Sequence, residues 1–289
     1  MGAPDFVSPL LRGTKAPTNL GPHDRSNTRP GDSFPRAQVR WALQERRLRV
    51  VYQPIACLED QRVVGHEALA RMLTPQGRVL TAEHFIDAAA SIGLEPRIDA
   101  EITAQVMQAA CRPGPFAVSH GKLFLNCSST FLTQPASVEQ LMNQHQGWCK
   151  AWPGAAMAAT PWVLEITERN LVTDPHHLLE SIQPLLNLGF ELALDDFGSN
   201  HSAFPYILAL PIRYLKLDKT LVQASANRRA MRVLRGLQEM ARDFGMITIA
   251  EGVESRALYE RLRDISIDWG QGYLWDETAR MADGAPLSN

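Results

Sequence analysis

The sequence predicts an α/β fold, a (β/α)8 barrel with an irregular start, and three observations carry the prediction. Apolar runs of strand length alternate with segments of helical period. Five of those runs end in an oxygen-bearing side chain. The first two runs lie too close together for a parallel crossover, which needs about a dozen residues or more. A doubly wound open sheet is the alternative architecture.

In chain order, residues 1–35 are rich in Pro, Gly, Asn, Arg and Asp without a period of 2 or 3.6, and are expected to be a disordered leader or linker. Ala37–Arg47 reads as a short helix, and Leu48–Ile55 alternates as a strand that stops at Pro54. Val63–Arg71 is the second strand, reached through the short turn Leu58–Arg62, so these two strands are expected to be antiparallel. Ala82–Gly93 and Ile98–Cys111 read as helices. In the latter, Ile98, Ile102, Val106 and Ala109 line one buried face.

Lys122–Asn126 is a strand, Ser137–Trp148 a helix, Trp162–Thr167 a strand, and His176–Leu188 a helix stopped by Gly189. Pro184 falls inside that last helix, where it removes a backbone bond and should kink it. Glu191–Phe197 and Tyr214–Val222 read as strands joined by an irregular stretch, Gly198–Pro211, long enough to be a functional loop. Arg228–Phe244 shows the clearest helical stripe: Met231, Leu234, Leu237, Ala241 and Phe244, with Gly245 as its stop. Ile247–Val253 is a strand, Ala257–Asp264 a helix and Trp269–Trp275 the last strand. The domain is expected to span 36–278, with a flexible tail at 279–289.

A chain of 289 residues is ample for one barrel, since barrels commonly run to about 250 residues as a single domain. Its hydrophobic content of 45% and charged content of 21% are those of an ordinary soluble protein. No apolar run approaches the ~18 residues of a membrane span. The formal net charge of −2 gives no general pull toward DNA, RNA or anionic lipid. Cys57, Cys111, Cys127 and Cys149 are scattered without a CxxC pair and fit reduced thiols in a cytoplasmic protein better than disulfides or zinc ligands. The N-terminal segment lacks the charge flank and apolar run of a signal peptide, so no export is expected.

The chemistry is concentrated at strand ends. Val63–Glu67, Leu123–Asn126, Trp162–Glu165, Glu191–Asp196 and Ile247–Glu251 each finish in an acid or amide, and Tyr214–Asp218 carries Lys216. Parallel strands joined by crossover helices bring their C-terminal ends to one face, so these groups should converge. A buried carboxylate costs several kcal/mol unless it is compensated, and the natural compensation for a cluster of oxygens is one or two hard divalent cations. One such acid alone would more often be solvated or half of an ion pair. Lys216 could simply pair with Asp218. Alternation, however, puts both on the side facing the barrel interior, where an ammonium can hold a water and offset developing charge.

The stretch Val63-Val64-Gly65-His66-Glu67-Ala68-Leu69-Ala70-Arg71 resembles the signature of the EAL family of cyclic di-GMP phosphodiesterases. Further matches follow in order from Leu48 to Trp275: Tyr52-Gln53-Pro54-Ile55, Leu125-Asn126-Cys127-Ser128, Leu164-Glu165-Ile166-Thr167-Glu168, Asp195-Asp196-Phe197-Gly198, Leu215-Lys216-Leu217-Asp218, Ala250-Glu251-Gly252-Val253-Glu254 and Gln271-Gly272-Tyr273-Leu274. The resemblance implies a modified TIM-type (β/α)8 barrel with an antiparallel first strand. It implies two Mg²⁺ or Mn²⁺ ions, one bound by Glu67, Asn126, Glu165 and Asp195 and the other served by Asp195, Asp196 and Glu251. Glu251 is then a ligand, a proton acceptor or both, and Lys216 is catalytic. Gln53, Leu69, Arg71 and Gln271 fall on the substrate side. Glu168, Asp218 and Glu254, with the loop residues Ser199 and Asn200, are expected to support the site. The resemblance also implies a homodimer and leaves room for a regulatory protein partner.

Two departures from the family pattern stand out. After Asp195-Asp196-Phe197-Gly198 the usual Thr-Gly-Tyr-Ser-Ser-Leu is replaced by Ser199-Asn200-His201-Ser202-Ala203-Phe204, and the usual proline after the last strand gives way to Asp276-Glu277-Thr278. Ser199 keeps the hydroxyl, and Asn200 is the best non-glycine residue at positive φ. The expected activity is metal-dependent hydrolysis of cyclic di-GMP to the linear dinucleotide pGpG. The alternative is a weakly active or inactive module of the same fold that binds the dinucleotide and signals through a partner.

Overall fold

The computed structural model describes residues 36–112, 121–153, 160–167, 174–198 and 203–275. Nine strands are formed among them: β1 Leu48–Cys57, β2 Val63–Leu73, β3 Val79–Thr81, β4 Lys122–Asn126, β5 Trp162–Thr167, β6 Glu191–Phe197, β7 Ile212–Leu217, β8 Ile247–Ala250 and β9 Trp269–Gln271. The sheet runs β1-β9-β8-β7-β6-β5-β4-β2-β3, and an additional β1–β2 pairing closes eight of the strands into a barrel. β3 lies outside the ring as an antiparallel extension of β2, Thr81 opposite Arg71, and sequence reading missed it. β1 is antiparallel to both its neighbours, β2 and β9, as the short first connection predicts. The remaining ring pairs are parallel.

The helices are α1 Arg36–Gln44, α2 Ile86–Ala90, α3 Glu95–Ala110, α4 Ser129–Leu132, α5 Pro135–Ala151, α6 Pro175–Asn187, α7 Phe204–Ala209, α8 Lys219–Gln223, α9 Arg228–Asp243 and α10 Arg256–Asp264. Their buried faces and the outward-facing strand residues make the main core, with Ile98, Ile102 and Val106 of α3 buried as the periodicity predicts, whereas Ala109, the fourth residue of the expected face, is exposed and Ala110 is buried in its place. Against β5, Trp148 and Trp162 meet edge to face at a centroid distance of 5.6 Å, a pairing of about 0.5–1.5 kcal/mol beyond its buried area.

Several expected boundaries change. The expected helix Ala82–Gly93 is a 3₁₀ turn at Ala82–His84 followed by the short α2. The expected strand Tyr214–Val222 ends at Leu217, because Asp218 accepts a bond from Thr220 N at 2.9 Å and caps α8. The last strand stops at Gln271 rather than Trp275. The stretch Gly198–Pro211 contains α7, and Phe204 and Leu208 of that helix are exposed. On α9, Phe244 is exposed and Gln238 takes the buried position, its amide donating to Ser266 O at 2.6 Å and its carbonyl accepting from Thr248 Oγ1. Pro184 lies inside α6 as expected. The leader 1–35 and the tail 279–289 lie outside the described residues.

Candidate active site

Side chains alternate along a strand with period 2, so each barrel strand presents every second residue to the interior. Ile55, Phe124, Val163, Ala193, Tyr214 and Ile249 form one apolar layer there, with Trp269 packed against it. Two residues toward the mouth stand Gln53, Asn126, Glu165, Asp195, Lys216 and Gln271 on the same strands and Glu251 one residue past the end of β8; on β2 the corresponding step leads from Gly65 to Glu67. Each of the eight ring strands thus contributes one polar group to a second layer. β1 runs the other way, so its polar residue precedes its apolar one.

The layer is built around Lys216. Its Nζ lies 3.1 Å from Glu67 Oε2, 2.9 Å from Glu165 Oε1, 3.0 Å from Asp195 Oδ1 and 2.9 Å from Glu251 Oε1. Glu67 also accepts from Asn126 Nδ2 at 2.8 Å and from Gln271 Nε2, which in turn donates to Gln53 Oε1 at 2.7 Å. Burial pulls the lysine toward neutrality, but Asp195, Glu165, Glu251 and Glu67 together outweigh it and hold the ammonium well above its usual range. Burial likewise works to raise Glu67, yet Lys216, Gln271 and Asn126 prevail and hold its carboxyl below the usual range. Glu165 and Glu251 go the other way: burial foremost, then neighbouring carboxylates, push both well above it despite Lys216.

A second grouping sits at the end of β6, where Asp195, Asp196 and Glu251 offer carboxylate oxygens within 4.8 Å of one another. Consecutive residues of a regular strand point to opposite sides, so both aspartates can serve one site only if the strand is broken. It is: between Leu194 and Phe197 the register with β7 gains a residue, and Asp196 adopts φ 57°. The bulge turns the second carboxylate toward the first, and aspartate is among the residues that tolerate this backbone conformation. After Glu251 the chain turns at Gly252, φ 65°, where a Cβ would come 2.9 Å from Lys219 Cβ.

These residues fit a divalent cation. The donors are all oxygen, which suits Mg²⁺ or Mn²⁺ and not zinc. Four carboxylates surround one ammonium, and Glu165 Oε2 is buried with no hydrogen-bond partner among the described residues. Such an orphaned, desolvated oxygen is costly without a further positive charge.

The other expected site residues are distributed as follows. Leu69 and Arg71 continue the Glu67 face of β2 toward its exit, opposite Val51 and Arg49 of β1. Asp218 does not pair with Lys216; it caps α8. Glu254 accepts a 3.2 Å bond from Gln223 at the surface, tying α8 to the segment after β8. Glu168, Ser199, Asn200 and His201 lie outside the described residues. Sequence reading missed Asp99, a buried carboxylate on α3 that holds Ser128, two residues beyond Asn126. The only signal in the chain was an acid next to Ile98 on a largely apolar helix face.

The chain matches the EAL domain over residues 36–278. It belongs to the EAL domain family. The cyclic di-GMP phosphodiesterase PdeB of Shewanella oneidensis is 32% identical over 241 residues, which cover 82% of this chain and 27% of that protein. The probable cyclic di-GMP phosphodiesterase PdeB of Escherichia coli is 29% identical over 254 residues, 86% of this chain and 46% of that one. The EAL-family chain thus spans between about a quarter and a half of the length of these relatives. Among solved structures, the EAL enzyme Bd1971 with cAMP and cyclic di-GMP bound superposes with a TM-score of 0.72 at 25% identity, covering 83% of this chain and 64% of that one. The PaMucR phosphodiesterase, in complex with c-di-GMP, gives 0.72 at 24% identity over 82% and 94% of the two chains, a likeness of fold. No helix among the described residues is long and apolar enough to cross a membrane.

Proposed function

We propose that this chain hydrolyses cyclic di-GMP to linear pGpG with Mg²⁺ or Mn²⁺, lowering the level of that second messenger. The observation that carries this reading is the complete oxygen set at the barrel mouth: Glu67, Asn126, Glu165 and Asp195 for one cation, and Asp195, Asp196 and Glu251 for a second. Relatives named as cyclic di-GMP phosphodiesterases support the substrate.

When bound, such cations would lower the pKa of a water and offset charge on the phosphoryl oxygens. The chain's own residues do the rest. The ring of Gln53, Glu67 and Gln271 fixes one wall, and Leu69 and Arg71 face the nucleotide at the exit of β2, Arg71 as a phosphate partner. Lys216 holds positive charge beside the phosphorus through the displacement. Glu251, raised by burial, is suited to accept the proton of the attacking water. Oxygen from that water joins phosphorus, one P–O3′ bond breaks, and the departing O3′ takes up a proton returned from Glu251 or drawn from solvent, so the products are a 3′-hydroxyl and a 5′-phosphate on one linear dinucleotide.

The reading extends to a cytoplasmic homodimer with room for a regulatory partner; the free Cys57, Cys111, Cys127 and Cys149 and the exposed Phe204 and Leu208 support it. Purified protein incubated with cyclic di-GMP and Mn²⁺, with the products separated, tests the activity. Linear pGpG that vanishes after exhaustive chelation is the expected result. Tight binding with no product would replace this reading by that of a binding module.

A further inference from the structure

Ser128 is gripped from α3. Asp99 Oδ2 accepts both the backbone N–H of Ser128, at 2.9 Å, and its hydroxyl, at 2.6 Å, and both residues are buried. The hydroxyl has one proton, given to Asp99, so its lone pairs are left to accept from Phe131 N at 3.2 Å and Thr130 Oγ1 at 3.1 Å. One carboxylate oxygen therefore sets both the main chain and the side-chain rotamer of Ser128. On the other side of the same short segment, Cys127 N donates to Glu165 O at 2.9 Å. Asn126 stands immediately before, its Nδ2 committed to Glu67 Oε1 and its Oδ1 left for a ligand.

We infer that Asp99 and Ser128 are a positioning pair that fixes the exit of β4, so that Asn126 presents its amide oxygen to the cation. The inference rests on reading Asn126 as a cation ligand. Capping a four-residue helix needs only the Ser128 hydroxyl, which already accepts from Phe131 N. A buried carboxylate on a different helix is costly, and burial raises Asp99 to about 7. What it adds is a fixed attachment, from outside the barrel, for the strand end that carries the ligand. Groups behind a metal ligand typically change metal affinity about 10–100-fold when they are removed.

Mn²⁺ affinity measured by calorimetry, beside the metal-free melting temperature, separates positioning from mere support. Ser128→Ala and Asp99→Asn should each weaken Mn²⁺ about 10-fold in the folded protein. Ser128→Thr, which keeps the hydroxyl, should restore affinity to within about 2-fold, and the double variant should be little worse than either single one. If both variants melt earlier but bind Mn²⁺ as the parent does, the pair only caps α4 and the inference fails. Should Asp99→Asn not fold, Ser128→Ala and Ser128→Thr decide alone. A parent that binds Mn²⁺ yet leaves cyclic di-GMP intact would count against the phosphodiesterase reading and leave this test valid; a parent that binds no Mn²⁺ overturns both.

Discussion

Lys216 Nζ and Glu165 Oε1 lie 2.9 Å apart, with 1% and 0% of their side chains exposed. The ammonium is the positive charge within reach of four of the site's acids among the described residues, so it acts as an internal counter-ion. Breaking a buried pair by removing one partner costs about 3–5 kcal/mol, because the remaining charges stay buried. Lys216→Met should therefore lower the metal-free melting temperature markedly, and saturating Mn²⁺ should recover much of the loss. Melts with and without the ion check this; an unchanged metal-free melt would mean that the acids are neutral in the folded protein.

Glu67 accepts from Asn126, Gln271 and Lys216 at once, so its loss unbalances three strands of the ring. Glu67→Ala should reduce turnover by at least about 100-fold while the circular dichroism stays that of the parent. The fold should survive because the substitution also removes one of the buried carboxylates that repel Glu165 and Glu251. Turnover near the parent's would show that the ion site has been misassigned.

Asp196 separates charge from backbone. Asn tolerates φ 57° nearly as well as Asp, whereas a β-branched residue there is strained by about 1–2 kcal/mol. Asp196→Asn should leave urea unfolding unchanged but weaken Mn²⁺ binding. Asp196→Val should lose both. Equal stability in the two variants would argue against the bulge.

Asp99 offers a pH test. Burial, with a contribution from Glu95, lifts its carboxyl to about 7 against the pull of the Ser128 bonds; in an unfolded chain it titrates near ~3.9. Between those values the folded state holds the extra proton, so the carboxyl's contribution to stability is greatest below about pH 4, falls as pH rises and levels off above about 7. Relative to Asp99→Asn, the parent should lose stability across that window in urea titrations, and the comparison cancels carboxylates common to both proteins. A difference independent of pH would mean an unshifted group.

How much of this was legible follows from local physics. The strand ends bearing Glu67, Asn126, Glu165, Asp195 and Glu251 could be read from period and length alone, and the antiparallel β1 from its short connection. Asp218 was misread because Thr220 and Val222 favour strands, although Asp followed by Thr two residues on is also a cap. Gln238 was hidden because a polar residue can be buried where Ser266 and Thr248 satisfy it, and those partners lie far along the chain. The bulge at Asp196 and the grip of Asp99 on Ser128 depend on tertiary pairing that no local pattern encodes.

The apolar layer beneath the polar ring closes the barrel floor: Phe124 and Tyr214 meet edge to face at 5.1 Å, and Tyr214 lies 5.3 Å from Trp269. With the floor sealed, traffic is one-way in, same way out. Whatever departs after a reaction leaves by the doorway through which the next molecule arrives, so spent ligand and fresh ligand contend for one threshold. On the proposed activity, product should therefore inhibit competitively.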